Sequence, residues 1–427
     1  MTEQTPNAVV VRGAPRWNVR NYAMFIALVG IWIVFSILTR GVFISPRNLS
    51  NLYVQTATVA ILTTGTVLIL VAGQLDLSLG YFLAFIGGTV GALQMRGHMG
   101  TLTSMGIALA AALTVGCWHG FWVAYRRIPA FIVTLASQLV LRGAMLWVTQ
   151  GQTQAPLNSN FLVIGQGYLP QAGLAKNDTT LLLAVGAALL FVAFQLRQRR
   201  RRLRRGYPVP SLGTQLAQMA GVCLAIALVS AIVLLYLGAS YAVLIAISLG
   251  LLFTFVTRNT VFGRQIYAIG GNVEAARLSG INIQRTIFIL YVIMGGMVAI
   301  ASFVFTARLG GASPLAGSGM ELDAIAAAFI GGTSISGGVG TIPGALVGAL
   351  VMASLDNGMS LMDLTVSAQL IVKGLILLAA VWFDIATRNA VRKVVADKAD
   401  SPGADEGRGQ AVQGAGEGED ARSKLAV

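Results

Sequence analysis

The sequence predicts an all-α, polytopic membrane protein of about 10–12 spanning segments, two of them broken at glycines. Three observations carry that fold class. Hydrophobic residues make up 56% of the 427 and charged residues 11%, against roughly 25% charge in soluble domains. That much apolar surface needs lipid as its solvent. The apolar residues also fall in runs near the length of about 20 residues that hydrocarbon demands. Finally, the net charge of +14 lies mostly between those runs, where it reads as topology and headgroup contact. The aromatic residues are not interleaved with the arginine cluster, so nucleic acid is not an expected partner.

In chain order, full-length runs occupy 21–39, 53–72, 104–124, 129–149, 179–196, 215–237, 241–257, 286–306 and 364–382. Runs 80–95, 321–335 and 340–357 are shorter or rich in glycine. Residues 1–20 are polar and hold Arg12, Arg16 and Arg20. They read as a cytoplasmic amino-terminal segment and not as a cleaved leader. Arg126–Arg127, the seven arginines of "RQRRRRLRR" (197–205), Arg258, Arg264, Arg277, Arg285, Arg388, Arg392 and Lys393 then all fall inside if the breaks at 73–80 and 332–339 turn back there. The positive-inside rule therefore predicts two cytoplasmic termini, with 150–178 outside and Arg40 and Arg47 as exceptions. A re-entrant pair lowers the number of spans without changing that orientation. The membrane domain is expected over 21–390, with a basic cytoplasmic linker at 197–213. The Gly-, Ala- and charge-rich stretch 391–427 is expected to be a disordered cytoplasmic tail.

The first break, "GQLDLSLG" (73–80), places Asp76 among apolar residues. A charge at the bilayer centre costs about 2.5–3.5 kcal/mol on insertion scales, so the position needs a reason. Gly73 and Gly80 permit turns, and Asp76 and Ser78 are good caps for the bare N–H groups of a helix start. The second break, "GGTSISGGVGTIPG" (331–344), supplies Thr333, Ser334 and Ser336 to freed backbone and Pro343 to a first helical turn. Irregular backbone at membrane depth is tolerated where it is packed in protein or lines a cavity. Both breaks are thus candidates for the wall of a solute pathway. Glu321 and Asp323 stand in the first turn of the segment that follows an outer loop. They suit either the helix dipole or a gate.

Other chemistry lacks residues. The sequence has no G-x-x-x-x-G-K-[ST] loop, G-x-S-x-G or H-E-x-x-H, so nucleotide hydrolysis and the familiar catalytic centres have no candidate. Cys117, Cys223, His98 and His119 show no metal-ligand spacing, and no cofactor is expected. The spans hold few ionisable residues beyond Asp76, Glu321, Asp323, Asp356 and Lys373. That is thin for a proton relay, so the driving force is expected from a partner. Its receiver is the segment 267–285. There Asn272 can cap a two-turn helix, Glu274 and Arg277 lie within ion-pair reach, Ala275, Ala276 and Leu278 form a compact surface, and Gly280 stops the helix. An ordinary linker helix would look the same.

"FGRQIYAIG" followed by "GNVEAARLSGI" (262–281) resembles the coupling region of permease subunits from bacterial ATP-binding-cassette sugar importers of the ribose and xylose type. "GQLDLSLG", "PAFIVTL" (129–135), "ELDAIAAAFIGGTSISGGVGTIPGALVGAL" (321–350) and "SLDNGMSLMD" (354–363) resemble that family in the same order. The long outer loop, the arginine-rich insertion and "DNGMSLMD" are most similar to its xylose-type members. The resemblance implies a two-copy pore in the inner membrane, a separate cytoplasmic ATPase docking around Glu274, Ala275, Ala276 and Gly280, a periplasmic sugar-binding protein, and a pentose, D-xylose, as solute. The family commonly shows "GGIDLSVG" where Gln74, Leu75 and Leu79 stand here, and Asn where His119 stands. A secondary transporter using Asp76, an amino-acid permease and a non-transporting membrane protein are the alternatives.

Overall fold

The computed structural model describes residues 19–173, 177–207, 209 and 211–399. The segment 1–18 and the part of the expected tail from 400 onward lie outside the described residues. The chain divides into two units, 1–373 and 374–427. The second contains, among the described residues, only the remainder of the last helix.

Every regular element among the described residues is helical. The first half of the chain forms α1 (Val19–Leu38), α2 (Pro46–Val71), α3 (Leu79–Met95), α4 (Thr101–Gly120), α5 (Ala130–Thr149) and α6 (Ser159–Gln166). The second half forms α7 (Asp178–Arg204), α8 (Leu212–Leu234), α9 (Tyr241–Asn259), α10 (Val261–Gly271), α11 (Val273–Leu278), α12 (Ile283–Leu309), α13 (Met320–Ile330), α14 (Ile342–Leu361) and α15 (Val366–Ala399). Each of the twelve predicted runs meets one helix. Local chemistry starts many of them. Ser45 caps α2 with Pro46 behind it, Ser240 caps α9, and Thr341 caps α14 with Pro343 in its first turn.

Among the described residues, eight helices are long and apolar enough to cross a membrane: α2, α4 with its π-helical extension Phe121–Tyr125, α5, α7, α8, α9, α12 and α14. Shorter apolar stretches are Met24–Leu38, Leu79–Met95 and Val366–Trp382. The run 321–335 behaves differently from a full span. Its helix α13 has 11 residues, which at a rise of 1.5 Å reach only about half of a 30 Å hydrocarbon layer.

Burial separates a centre from a periphery. Protein covers 89% of the apolar stretch of α2, 67% of that of α12 and 61% of that of α14, but 6% of those of α7 and α8. Small residues set the central spacing. A Cβ on Gly116 of α4 would stand 2.6 Å from the Tyr291 carbonyl, and one on Gly295 of α12 would stand 2.5 Å from the Ala112 carbonyl. The two backbones therefore touch without side chains between them.

Three boundaries differ from the sequence reading. Helix α7 continues through Arg197–Arg204, so the arginine-rich first half of the expected linker 197–213 is helical. Arg, Gln and Leu are strong helix formers, and a helix need not stop where hydrocarbon does. Helix α15 likewise passes residue 390 and runs to Ala399, so the described part of the expected tail is helical. The connection 150–178, expected to be an outer loop, contains α6. Its Phe161 is fully buried and meets Phe303 edge-on at 6.4 Å, and Gln166 Nε2 donates to the Ala307 carbonyl at 3.1 Å. Paired backbone bonds between Gln154 and Ala312 hold the same connection down.

Candidate functional site

At the first break, α2 ends at Val71 and Gly73 turns the chain at φ +73°. Asp76 is buried, with 2% of its surface exposed. One carboxyl oxygen, Oδ1, accepts from the Ser78 amide at 2.9 Å and the Ser78 hydroxyl at 2.7 Å. The Leu77 amide donates to Thr134 Oγ1 at 3.2 Å. Asp76 therefore satisfies freed backbone as its residue type predicts. Ser78 does not act as the acceptor expected of it, because its side chain makes no cap bond to α3 and its hydroxyl instead donates to Asp76. The second carboxyl oxygen faces His119 Nδ1 at 3.9 Å. The imidazole lies between the rings of Phe82 and Tyr291, each 6.0 Å away centre to centre. His119, Thr134 and Tyr291 had no assigned place in the sequence reading. A histidine inside an apolar span was the one available signal.

At the second break, Gly332, Gly337 and Gly338 all have positive φ. Ser334 and Thr333 are wholly buried. Ser334 Oγ accepts from the Ser336 amide at 3.1 Å and the Ser334 amide donates to the Val339 carbonyl at 2.8 Å, so this loop is tied to itself. Thr333 departs from the expected capping role. Its hydroxyl has no hydrogen-bond partner, and its side chain packs where a Cβ on Gly340 would be, 2.9 Å away.

The two acids in the first turn of α13 part company. Glu321 reaches the start of α3, where a Cβ on Gly80 would collide with its carboxylate and with the Gly317 carbonyl. Asp323 turns to α15 instead. Lys373 Nζ donates to Asp323 Oδ2 at 2.9 Å and stands 2.9 Å from Asp356 Oδ1. All three side chains are mostly buried, at 21%, 7% and 16% exposure for Lys373, Asp323 and Asp356. The candidate pathway residues thus fall into separate sets of contacts: Asp76 with Ser78, Glu321 with α3, Asp323 with Lys373, and Thr333, Ser334 and Ser336 within the second break.

The expected coupling helix is α11. Asn272 Oδ1 accepts from the Ala275 amide at 3.0 Å, and Gly280, at φ +78°, follows its last turn. Arg277 and Glu274 pair at 3.1 Å with 59% and 70% of their side chains exposed, and Leu278 is 88% exposed. Ala276 corrects the reading of a surface formed by Ala275, Ala276 and Leu278: at 3% exposure it faces inward and seats the helix. Beside α11 lies a groove of about 380 Å³ lined by Val123, Ala124, Arg127, Arg277, Ile281 and Ile287, among others.

Comparison with known proteins gives three kinds of result. A family model described as the permease component of branched-chain amino acid transport systems matches residues 48–381. The xylose transport system permease protein of Escherichia coli K12 is 43% identical over 378 residues, or 88% of this chain and 94% of that protein. Its namesake from Haemophilus influenzae Rd is 41% identical over 374 residues, 87% and 97% of the two chains. The ribose import permease protein of Escherichia coli K12 is 32% identical over 368 residues, 86% and 94%. No solved structure gives a significant match.

Proposed function

The chain belongs to the permease-component family of branched-chain amino acid transport systems, and from that premise we propose that it is the membrane subunit of an ATP-driven importer carrying a pentose, D-xylose, into the cell. The observation that carries the substrate is the contrast between 43% identity to a xylose permease and 32% to a ribose permease over similar lengths. ATP hydrolysis belongs to a separate cytoplasmic subunit, in keeping with the missing phosphate loop. A periplasmic sugar-binding protein delivers the solute to the outer side, and a second copy of the chain completes the pore. The arginine distribution supports an inner-membrane topology with both termini cytoplasmic. In the power stroke, the ATPase moves α11, and the interrupted segments around Asp76, Ser78, Glu321, Asp323, Thr333, Ser334 and Ser336 open the path inward.

Support for α11 as the docking element comes from its exposure, its cap and the adjoining groove. An exposed ion pair contributes only about 0.2–1 kcal/mol, so Glu274→Arg is expected to leave thermal stability unchanged while reversing the charge offered to the partner. Glu274→Arg should then fail to co-purify with the ATPase, as should Gly280→Leu, which also strains a left-handed position. Normal co-purification of Glu274→Arg would remove α11 from the interface.

The proposed function is tested by uptake into proteoliposomes containing the permease, the ATPase and the binding protein. ATP-dependent accumulation of xylose is expected to exceed that of ribose by about tenfold, a difference of about 1.4 kcal/mol. Preferred accumulation of ribose or of a branched-chain amino acid would overturn the substrate. Uptake that an uncoupler abolishes and ATP depletion spares would overturn the energy source.

A further inference from the structure

Three glycine-containing stretches, around Gly73, Gly270 and Gly338, meet at one point. A Cβ on Gly270 would collide with the Val71 carbonyl, the last residue of α2, and would stand 2.6 Å from the Gly338 amide. That amide donates to the same Val71 carbonyl at 2.8 Å. A Cβ on Gly337 would stand 2.9 Å from the Gly270 carbonyl and 3.1 Å from the Gly73 Cα, and one on Gly338 would stand 2.9 Å from the Gly271 Cα. Both membrane breaks and the end of α10 are therefore packed backbone against backbone. A side-chain tie reinforces the contact, since the Tyr267 hydroxyl donates to the Gly340 carbonyl at 2.6 Å. Burial pushes that hydroxyl above its ordinary pKa, against the pull of Arg258, so it remains a donor at neutral pH.

Helix α10 is in turn locked to α11. The Asn272 amide donates to the Ala268 carbonyl at 3.0 Å and closes α10, while its side chain caps α11. One residue thus ends the first helix and starts the second. Side-chain contacts absorb small displacements by changing rotamer, whereas backbone packed on backbone has no such freedom.

We propose that Gly270, Gly338 and the Val71 carbonyl form the joint through which movement of α11 is passed to both broken segments, with Gly270 as its positioning residue. The role in transport rests on the function proposed above, while the joint itself is a property of the chain alone. Gly271 supplies the control, because a Cβ there would meet nothing within 4 Å.

The test uses the full-length permease with its ATPase and binding protein, comparing Gly270→Ala, Gly271→Ala and Tyr267→Phe. Gly270→Ala is expected to co-purify with the ATPase and hydrolyse ATP within roughly twofold of the parent, yet to move at least about tenfold less xylose per ATP. Gly271→Ala should match the parent in all three measurements. Tyr267→Phe should lower sugar moved per ATP about threefold at an unchanged thermal midpoint. Parental coupling in Gly270→Ala, or loss of ATPase association together with uptake, would overturn the proposal. If Gly270→Ala does not fold, Tyr267→Phe decides it, and parental coupling there would overturn it as well. Amide exchange of the permease alone separates this inference from the transport reading. Gly270→Ala should speed exchange across 334–340 by about tenfold and leave 101–120 unchanged, and equal exchange in both variants sinks the joint whether or not xylose is carried.

Discussion

Lys373→Met is expected to destabilise the protein by about 3–5 kcal/mol, the usual result of removing one partner from a buried ionic cluster. Lys373 Nζ stands 2.9 Å from a carboxyl oxygen of both Asp323 and Asp356. Without it, two acids at 7% and 16% exposure face each other with no cation between them. The loss is read as a lower thermal midpoint and a smaller folded yield in detergent. Adding Asp323→Asn and Asp356→Asn to the same chain should restore most of it, because a neutral trio carries no uncompensated charge. An unchanged midpoint for Lys373→Met, or a triple variant no more stable than the single one, would show that the cluster is not ionic. The same cluster bears on function, since it ties the start of α15 to α13 and α14. The triple variant asks whether transport needs the charges or only the packing.

Asp76→Leu is expected to abolish most uptake, and Asp76→Asn to retain the larger part. Leucine leaves the Ser78 amide and hydroxyl buried without their acceptor, at about 1–3 kcal/mol for each group. Asparagine keeps an acceptor oxygen for the same turn and gives up only the charge. Uptake by the asparagine variant within about threefold of the parent, with a loss of tenfold or more for leucine, would match this account. Equal and complete loss in both would mean that the charge itself is required, and the His119 imidazole, 3.9 Å from the free carboxyl oxygen, would be its partner. His119→Asn, which keeps a polar side chain but removes the imidazole, should then change uptake as strongly as Asp76→Asn does.

Much of the fold was legible because it is local. A span needs a run of apolar residues, and every run found one helix. Asn272 and Gly280 marked the ends of α11 because a cap oxygen and a left-handed glycine act within one turn. Residue type alone misled where a side chain can either cap a helix or pack. Ser78 and Thr333 look like caps by residue type, yet one donates to Asp76 and the other packs beside Gly340. Ala276 looks like surface and is core.

Residue order alone was enough to show a polytopic helical membrane protein, where its helices break and which short helix stands exposed. These follow from side-chain polarity and from backbone freedom at glycine, both carried by neighbouring residues. Only the tertiary structure decided which spans are central. Helix α8 is more apolar than α2 but is 6% covered against 89%, because lipid and protein interiors are equally apolar and hydropathy cannot tell them apart. It also decided that Lys373 meets an acid 50 positions away, that His119 meets Asp76, and that Gly270, Val71 and Gly338 close on one another. Those contacts depend on how helices stack, and no short window of residues records that.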